Sequence, residues 1–296
     1  MQLPTTSDLQ WTLTRDGSFI VCGRTARQIP PGAYEISVDN CGESHFKPHP
    51  LHTDDLIEFP ESVSAVVLDE VERFWSMGDR FARLGFAHRR GYLFYGKQGC
   101  GKSSLIHQMI ARIVDAGHVA FFCAFPAWFR VALARFREVE PDRPIVCIFE
   151  DIDATIRQYG DSELLQLLDG NSQVDKVVNL ASTNYPERLD RRIIARPRRF
   201  DRLIKIESPD AALREAYFAK KLPELPRGQL RRWVELSEGL PFASLTELVI
   251  SVECLGHELE VAAQTLHDLD RHTPSSNEFG GTNGEVVDEE REEVPY

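Results

Sequence analysis

One glycine-rich segment constrains the fold of this chain more than any other feature. Gly96-Lys97-Gln98-Gly99-Cys100-Gly101-Lys102-Ser103 has the spacing G-x-x-x-x-G-K-S. Glycines at these positions let the backbone turn so that consecutive N–H groups point inward at phosphate oxygens. An apolar run precedes the segment and a helical pattern follows it, which is the context that a phosphate-binding loop requires. The sequence therefore predicts a nucleoside triphosphate site here rather than a chance glycine-rich turn.

The polar residues of this loop have separate predicted roles. Lys102 places its ammonium against the β- and γ-phosphates, and the Ser103 hydroxyl ligates Mg²⁺. The dipole of the helix that follows adds to the attraction for phosphate. The predicted contacts with ATP and Mg²⁺ in this segment are Gly96, Gly99, Cys100, Gly101, Lys102, Ser103 and Ser104.

Short apolar runs alternate with helical patterns after about residue 61. Five runs have the length of buried strands, at 92–95, 118–125, 144–149, 176–182 and 203–206. Near-continuous apolar strands between helices are typical of a parallel sheet that is covered on both faces. The predicted fold class is therefore α/β, a P-loop NTPase sheet with helices on both faces.

Three acids follow the third apolar run, at Glu150, Asp151 and Asp153. Ligands bind at the carboxyl ends of strands in such sheets. One carboxylate would hold Mg²⁺, usually through water, and the next would polarise the attacking water. We assign the metal side to Glu150 and the water-polarising role to Asp151, although the usual order of Asp before Glu leaves the exchanged assignment open. Asp153 is expected to orient its neighbours.

Two polar features follow the fourth apolar run. Asn184 could hydrogen-bond the γ-phosphate or the attacking water, whereas an asparagine at a strand end could also simply form a turn. The segment 189–202 is rich in arginine, which would normally indicate a solvated or anion-binding surface. A guanidinium that projects from a rigid loop can instead stabilise charge at the γ-phosphate of a neighbouring subunit.

Together these segments resemble the AAA ATPase module. The resemblance covers roughly residues 61–250 and rests on the phosphate loop, 150–153, 164–170, 182–184 and 196–201. The last segment, Arg196-Pro197-Arg198-Arg199-Phe200-Asp201, is similar to the family signature R-P-G-R-F-D, with Arg198 in place of glycine. By that position the resemblance implies that Arg196 and Arg199 act in trans. They complete a predicted catalytic set with Glu150, Asp151 and Asn184.

The resemblance also implies an assembly and a mode of action. Family members are ring-shaped ATPases, usually hexamers, that pull protein segments through a central pore. The pulling loop would lie near Trp128 and Phe129, which either grip a client or form helix core. Glu-Asp-Ile-Asp at 150–153 and the segment 88–93 resemble the mitochondrial Rieske-protein translocase subfamily, which forms heptamers. We find no counterpart of the membrane helix of that subfamily.

We therefore expect Mg²⁺-dependent ATP hydrolysis by a homo-oligomeric hexamer or heptamer ring that remodels or threads an unidentified protein client. ATP and Mg²⁺ are the expected cofactors. The alternative is a nucleic-acid-directed ATPase, such as a replication or loader accessory, because Arg130, Arg135 and Arg137 could line a basic channel.

The sequence divides into four predicted regions. Residues 1–60 form a small β-rich module, with a hairpin around Asp16-Gly17 and a strand over Gly32–Val38. Residues 61–207 form the ATPase core, and 208–272 form a small helical lid. Residues 273–296 are acidic and nearly without apolar side chains, so we predict disorder there.

Composition favours a cytoplasmic location and argues weakly against a nucleic-acid partner. The six cysteines lack C-x-x-C spacing, which predicts free thiols in a reducing compartment. We see no signal peptide and no apolar stretch approaching the ~20 residues that span a bilayer, so no membrane partner is expected. The net charge of −12 argues against a wholly basic surface.

Overall fold

The computed structural model describes residues 10–13, 17–23, 25–51, 63–169, 175–194 and 199–271. The chain divides into two units, Met1–Ser208 and Pro209–Tyr296. The segment 273–296, which the sequence predicts to be disordered, lies outside the described residues.

The strands of the first unit form two sheets. They are β1 (Gln10–Leu13), β2 (Phe19–Cys22), β3 (Gly32–Val38), β4 (Ser44–Pro48), β5 (Arg89–Tyr95), β6 (Val119–Phe122), β7 (Ile145–Phe149), β8 (Val177–Thr183) and β9 (Arg202–Lys205). The short strands β1 and β2 pair with each other in antiparallel register. The other seven have the order β4-β3-β6-β7-β8-β5-β9, and within this sheet only β4 runs antiparallel to its neighbour. The predicted α/β class with a mostly parallel sheet is confirmed.

Helices cover both faces of the larger sheet. They are α1 (Val63–Ser76), α2 (Gly78–Arg83), α3 (Lys102–Asp115), α4 (Pro126–Val139), α5 (Ile152–Tyr159), α6 (Ser162–Asp169) and α7 (Arg191–Ile194). Because side chains alternate along a strand, β7 contributes to two cores. Ile145, Cys147 and Phe149 pack with α4, whereas Val146 and Ile148 pack with α1 and α3.

Two strands of the predicted β-rich region over residues 1–60, β3 and β4, belong to the larger sheet. β3 pairs in parallel with β6, from Gly32↔Val119 to Glu35↔Phe122, and thereby joins the larger sheet. Its side chains contribute to both cores, since Ala33 lies in one and Tyr34 in the other. Both faces of β3 are therefore covered, as in an interior strand.

Gly91 in β5 allows an unusually close approach by the segment that leads into β9. Its N–H donates to Oδ2 of Asp201 at 2.9 Å, and the N–H of Asp201 donates to the Gly91 carbonyl at 2.8 Å. A Cβ added at Gly91 would lie 2.0 Å from the carbonyl oxygen of Arg199. No side chain fits there unless the backbone moves.

We expect Gly91→Ala to lower the free energy of unfolding by about 1–3 kcal/mol, since the added methyl group overpacks a backbone contact. Gly228→Ala in the second unit is the matched control, because nothing lies within 4 Å of a Cβ at that position. That variant should be neutral or more stable by up to about 1 kcal/mol. Urea unfolding of the two variants beside the wild type measures both effects, and equal stabilities would contradict the packing described for Gly91.

The second unit is helical, as the sequence predicts. Its helices are α8 (Ala211–Lys221), α9 (Arg227–Leu236), α10 (Phe242–Val249) and α11 (Leu259–Arg271). The side chain of Asp210 caps α8 by accepting the N–H of Leu213 at 2.8 Å. The rings of Phe218 and Trp233, 5.2 Å apart, form part of its core. Within the described ranges of both units, no helix has the length and apolar content needed to cross a bilayer.

Candidate nucleotide site

The predicted phosphate loop connects β5 to α3. Its glycines have positive φ values of 150° at Gly96, 78° at Gly99 and 96° at Gly101, a region that residues with side chains rarely adopt. A Cβ at Gly96 would also lie 2.1 Å from the carbonyl oxygen of Ile206. The backbone of the loop itself therefore requires these glycines.

Lys102 is fixed at the centre of this loop. It is 6% exposed, and its Nζ donates to the carbonyl oxygens of Gly96 and Lys97 at 2.8 Å each. Burial lowers the pKa of Lys102, while the nearby Cys100, Asp151 and Asp153 act to raise it. The ammonium thus lies within electrostatic reach of the acids that follow β7.

The remaining loop residues differ in what they can offer a ligand. Ser103 and Ser104 are exposed in the first turn of α3, where the N–H groups of a helix have no internal partner. Cys100 is 2% exposed, and its Sγ lies 3.7 Å from the hydroxyl of Ser208. The Cys100 thiol is therefore buried, and the backbone N–H of Cys100 donates to the carbonyl oxygen of Lys97 at 3.4 Å.

The acids leave β7 beside the polar end of β8. Phe149 pairs with Ala181, so the segments 150–153 and 182–184 emerge side by side from adjacent parallel strands. Asp151 is exposed and has a φ of 44°, whereas Asp153 is 7% exposed. A non-glycine residue with positive φ persists only where its surroundings hold it, at a cost of about 1–3 kcal/mol.

Three consecutive residues of β8 and its end supply that support. Ser182 Oγ accepts the N–H of Asp151 at 3.2 Å. Thr183 Oγ1 donates to Oδ1 of Asp153 at 2.7 Å, and Asn184 Nδ2 donates to Oδ1 of Asp151 at 3.3 Å. The structure therefore brings Asn184 and Asp151 together. The sequence analysis assigned no role to Ser182 and Thr183, although two hydroxyls at the end of an otherwise apolar buried strand were a usable signal.

The oxygens of Ser103 and Glu150 fit a magnesium ion bound together with a nucleotide. Mg²⁺ is typically held by one or two carboxylates, substrate phosphates and water. In the part of the chain that the structure describes, no group of three or more His, Cys, Asp or Glu side chains could hold a metal ion. A cation at this edge of the sheet would depend on phosphate oxygens for its other ligands.

Arg199 does not have the exposure that its predicted role in trans requires. It is 3% exposed, and its Nη1 donates to the carbonyl oxygen of Arg192 in α7. The backbone carbonyl of Arg199 also approaches Gly91 closely, so the segment is held on both its backbone and its side chain. A guanidinium held by a carbonyl of its own chain is not presented to a neighbour. Arg196 lies outside the described residues.

Trp128 and Phe129, on α4, have different surroundings. Phe129 is 1% exposed and packs in the core, with its ring 5.8 Å from that of Phe149. Trp128 is 46% exposed and contacts Phe125 edge-on at 4.9 Å, and Phe125 contacts Tyr159 at 4.8 Å. Phe129 is therefore helix core, while Phe125, Trp128 and Tyr159 form an exposed aromatic cluster.

The arginines that suggested a basic channel have partners within the chain. Arg130 Nε lies 3.8 Å from an oxygen of Glu163, and Arg135 Nη1 lies 3.0 Å from one of Glu138. Arg137 donates to backbone carbonyl oxygens of four residues. These contacts offset the positive charge locally and do not favour a nucleic-acid channel.

Comparison with known proteins agrees with the geometry. The model of the family described as "ATPase family associated with various cellular activities (AAA)" matches residues 92–208. ATPase family gene 2 protein homolog A from Homo sapiens is 29% identical over 188 residues, which cover 56% of this chain and 20% of that protein. The chain thus spans about a fifth of the length of this relative. Both matches support ATPase activity, and neither identifies the Rieske-protein translocase subfamily.

Proposed function

We propose that this chain, whose residues 92–208 match the AAA ATPase family, hydrolyses ATP as a homo-oligomeric ring and thereby remodels or threads a protein client. The observation that carries the hydrolysis step is the meeting of three parts at one sheet edge. The Lys102 loop follows β5, the acids follow β7, and Asn184 follows β8, which lies between those two strands.

ATP would bind first through the phosphate loop. Backbone N–H groups of 96–104 and the ammonium of Lys102 would contact the phosphates, in place of the carbonyl contacts that Lys102 now makes. Ser103 and Glu150 would hold Mg²⁺, which when bound neutralises charge on the phosphate oxygens. The exposed position of Ser103 beside the buried Lys102 supports this arrangement.

Hydrolysis requires a group that polarises the attacking water. Asp151 is our candidate because it is exposed and its carboxylate is oriented by Asn184. Asp153 would support Asp151, since the buried carboxylate of Asp153 is held by a hydrogen bond of 2.7 Å from the hydroxyl of Thr183. Asn184 would then have two tasks, orienting Asp151 and contacting the water or the γ-phosphate.

A neighbouring copy would complete the site. Arg196 is our candidate for the trans-acting arginine, on the basis of its place in the signature-like segment. Arg199 would anchor the end of that segment through the carbonyl of Arg192, rather than contact phosphate itself. A site that a neighbouring copy completes requires an oligomer. The resemblance to ring-shaped AAA ATPases is the reason that we propose six or seven copies.

The exposed aromatic cluster is our candidate for the client contact. Trp128 and Tyr159 together present apolar surface on two separate elements, the start of α4 and the end of α5. α5 begins directly after Asp151, so one short helix separates the catalytic acid from the cluster. Exposed aromatic side chains of this kind can bury apolar area against the side chains of an unstructured polypeptide.

The proposed client contact is tested with β-casein, an unstructured polypeptide. We expect β-casein to raise the ATPase rate of the wild type and Trp128→Ala to abolish that stimulation, while the basal rate stays within about twofold. Val139→Ala is the matched control, since Val139 is 65% exposed at the other end of α4. Stimulation that survives in Trp128→Ala, or stimulation by single-stranded DNA instead of β-casein, would contradict the proposal.

A cytoplasmic location and the likeness to the Rieske-protein translocase subfamily are retained as proposals. All six cysteines are free thiols, which supports a reducing compartment. The subfamily likeness rests on Glu-Asp-Ile-Asp at 150–153 and on the segment 88–93.

A further inference from the structure

The carboxylate of Glu150 has one oxygen whose hydrogen bonding is not satisfied. Oε1 is buried, and none of the residues that the structure describes donates a hydrogen bond to it. The side chain as a whole is 32% exposed, so Glu150 lies at the boundary between the protein and the nucleotide site. A buried oxygen without a donor costs free energy, and more so for a charged group.

The basic side chain of His107 lies beside that oxygen. Its Nε2 is 4.0 Å from Oε1, about 1 Å longer than a hydrogen bond. His107 follows Ser103 by four residues on α3, so the two share one face of the helix. Its ring meets Phe122 edge-on, with centroids 6.3 Å apart, and its side chain is only 22% exposed.

We propose that His107 is a positioning residue for the cation site, donating its Nε2–H to Oε1 of Glu150. That bond would leave the other carboxylate oxygen to face the ion held with Ser103. The inference deepens the proposed ATP hydrolysis and rests on it. It assigns a residue outside the predicted site to the orientation of the metal-side acid.

The chemistry of Glu150 explains why such a partner is useful. A glutamate side chain has one more rotatable bond than aspartate and loses more entropy when it is held in one orientation. Hydrogen bonds from a second layer of residues orient metal-binding carboxylates, and their loss typically weakens metal affinity about 10–100-fold. Hydrogen bonds in ligand-free sites are often long and shorten when the ligand binds.

Binding of mant-ADP, a fluorescent ADP analogue, to the full chain tests the proposal without turnover. The affinity for mant-ADP is measured once with Mg²⁺ and once with EDTA. The ratio of the two affinities, here called the Mg²⁺ gain, is the contribution of the cation to binding. We expect His107→Ala to reduce that gain about tenfold and to leave the affinity in EDTA unchanged. His107→Gln retains an N–H donor and should keep most of the gain. The unchanged affinity in EDTA also shows that the variants are folded.

His49→Ala is the matched control. His49 pairs with a glutamate, Glu35, at 2.9 Å, and its ring packs 4.4 Å from the same Phe122, but no contact links it to Glu150. We expect its Mg²⁺ gain to equal that of the wild type. An equal loss in His49→Ala and His107→Ala would overturn the proposal, because the effect would then come from disturbed packing around Phe122.

The Mg²⁺ dependence of hydrolysis gives a second readout. We expect His107→Ala to raise the Mg²⁺ concentration for half-maximal rate about tenfold, with the rate at saturating Mg²⁺ within about twofold of the wild type. An unchanged Mg²⁺ gain in His107→Ala overturns the proposed role of His107 and leaves the proposed ATP hydrolysis unaffected. A wild type that fails to bind mant-ADP in either condition overturns the proposed function on which it rests.

Discussion

Lys102→Ala is expected to reduce ATP hydrolysis by about 10²–10³-fold, the usual effect of removing one preorganised group that stabilises charge in the transition state. Lys102 is 6% exposed, and its ammonium is held in the loop by the carbonyls of Gly96 and Lys97. Because Lys102 is buried, solvent screening around it is weak, and the same burial lowers its pKa. A charge in that position interacts strongly with phosphate, so its loss should also weaken nucleotide binding. Phosphate release and mant-ADP binding measure the two effects.

Lys220→Ala provides the control for this prediction. Lys220 is an exposed lysine of α8 in the second unit. Its replacement by alanine changes the net charge by the same amount as Lys102→Ala. We expect its hydrolysis rate to stay within about twofold of the wild type. Hydrolysis at the wild-type rate in Lys102→Ala would contradict the assignment of the phosphate loop.

Asp151→Asn is expected to bind ATP nearly as well as the wild type and to hydrolyse it about 10²–10⁴-fold more slowly. Asparagine adopts positive φ more readily than most residues, so the backbone at φ 44° should be preserved. Its side-chain oxygen can still accept from Asn184. The change therefore removes the basic carboxylate and keeps its surroundings. Asp115→Asn, at an exposed position at the end of α3, controls for the lost charge.

The same variant offers the clearest view of assembly. If a neighbouring copy completes the site, bound ATP that is not hydrolysed should hold the copies together. We expect mass photometry and electron microscopy of Asp151→Asn with ATP to show rings of six or seven copies. Monomers at saturating ATP would contradict the role of Arg196 in trans.

The parts of the site that could be predicted are those that local sequence determines. The phosphate loop is recognisable because positive φ at Gly96, Gly99 and Gly101 restricts these positions to glycine. The polar ends of β7 and β8 could be placed together because parallel strands bring their carboxyl ends to one edge. The spacing of the glycines was sufficient for the first conclusion, and the spacing of the apolar runs for the second.

The parts that could not be predicted depend on contacts between distant segments. β3 has the local pattern of a strand, but its pairing with β6 depends on a partner far along the chain. Arg199 is buried and its backbone approaches Gly91, a residue far away in the sequence, and no local pattern indicates either fact. Trp128 is exposed and Phe129 is buried because of the way in which α4 packs on the sheet. That orientation could not be read from the sequence.

The central claim is that this chain hydrolyses ATP bound at the Lys102 loop, with Asp151 as the group that polarises water. Its most direct test is a single-turnover measurement in which radiolabelled ATP is bound to excess protein and the bound nucleotide is identified over time. We expect the wild type to convert bound ATP to ADP, Asp151→Asn to retain ATP, and Lys102→Ala to bind little of either. Conversion at equal rates in the wild type and Asp151→Asn would contradict the central claim.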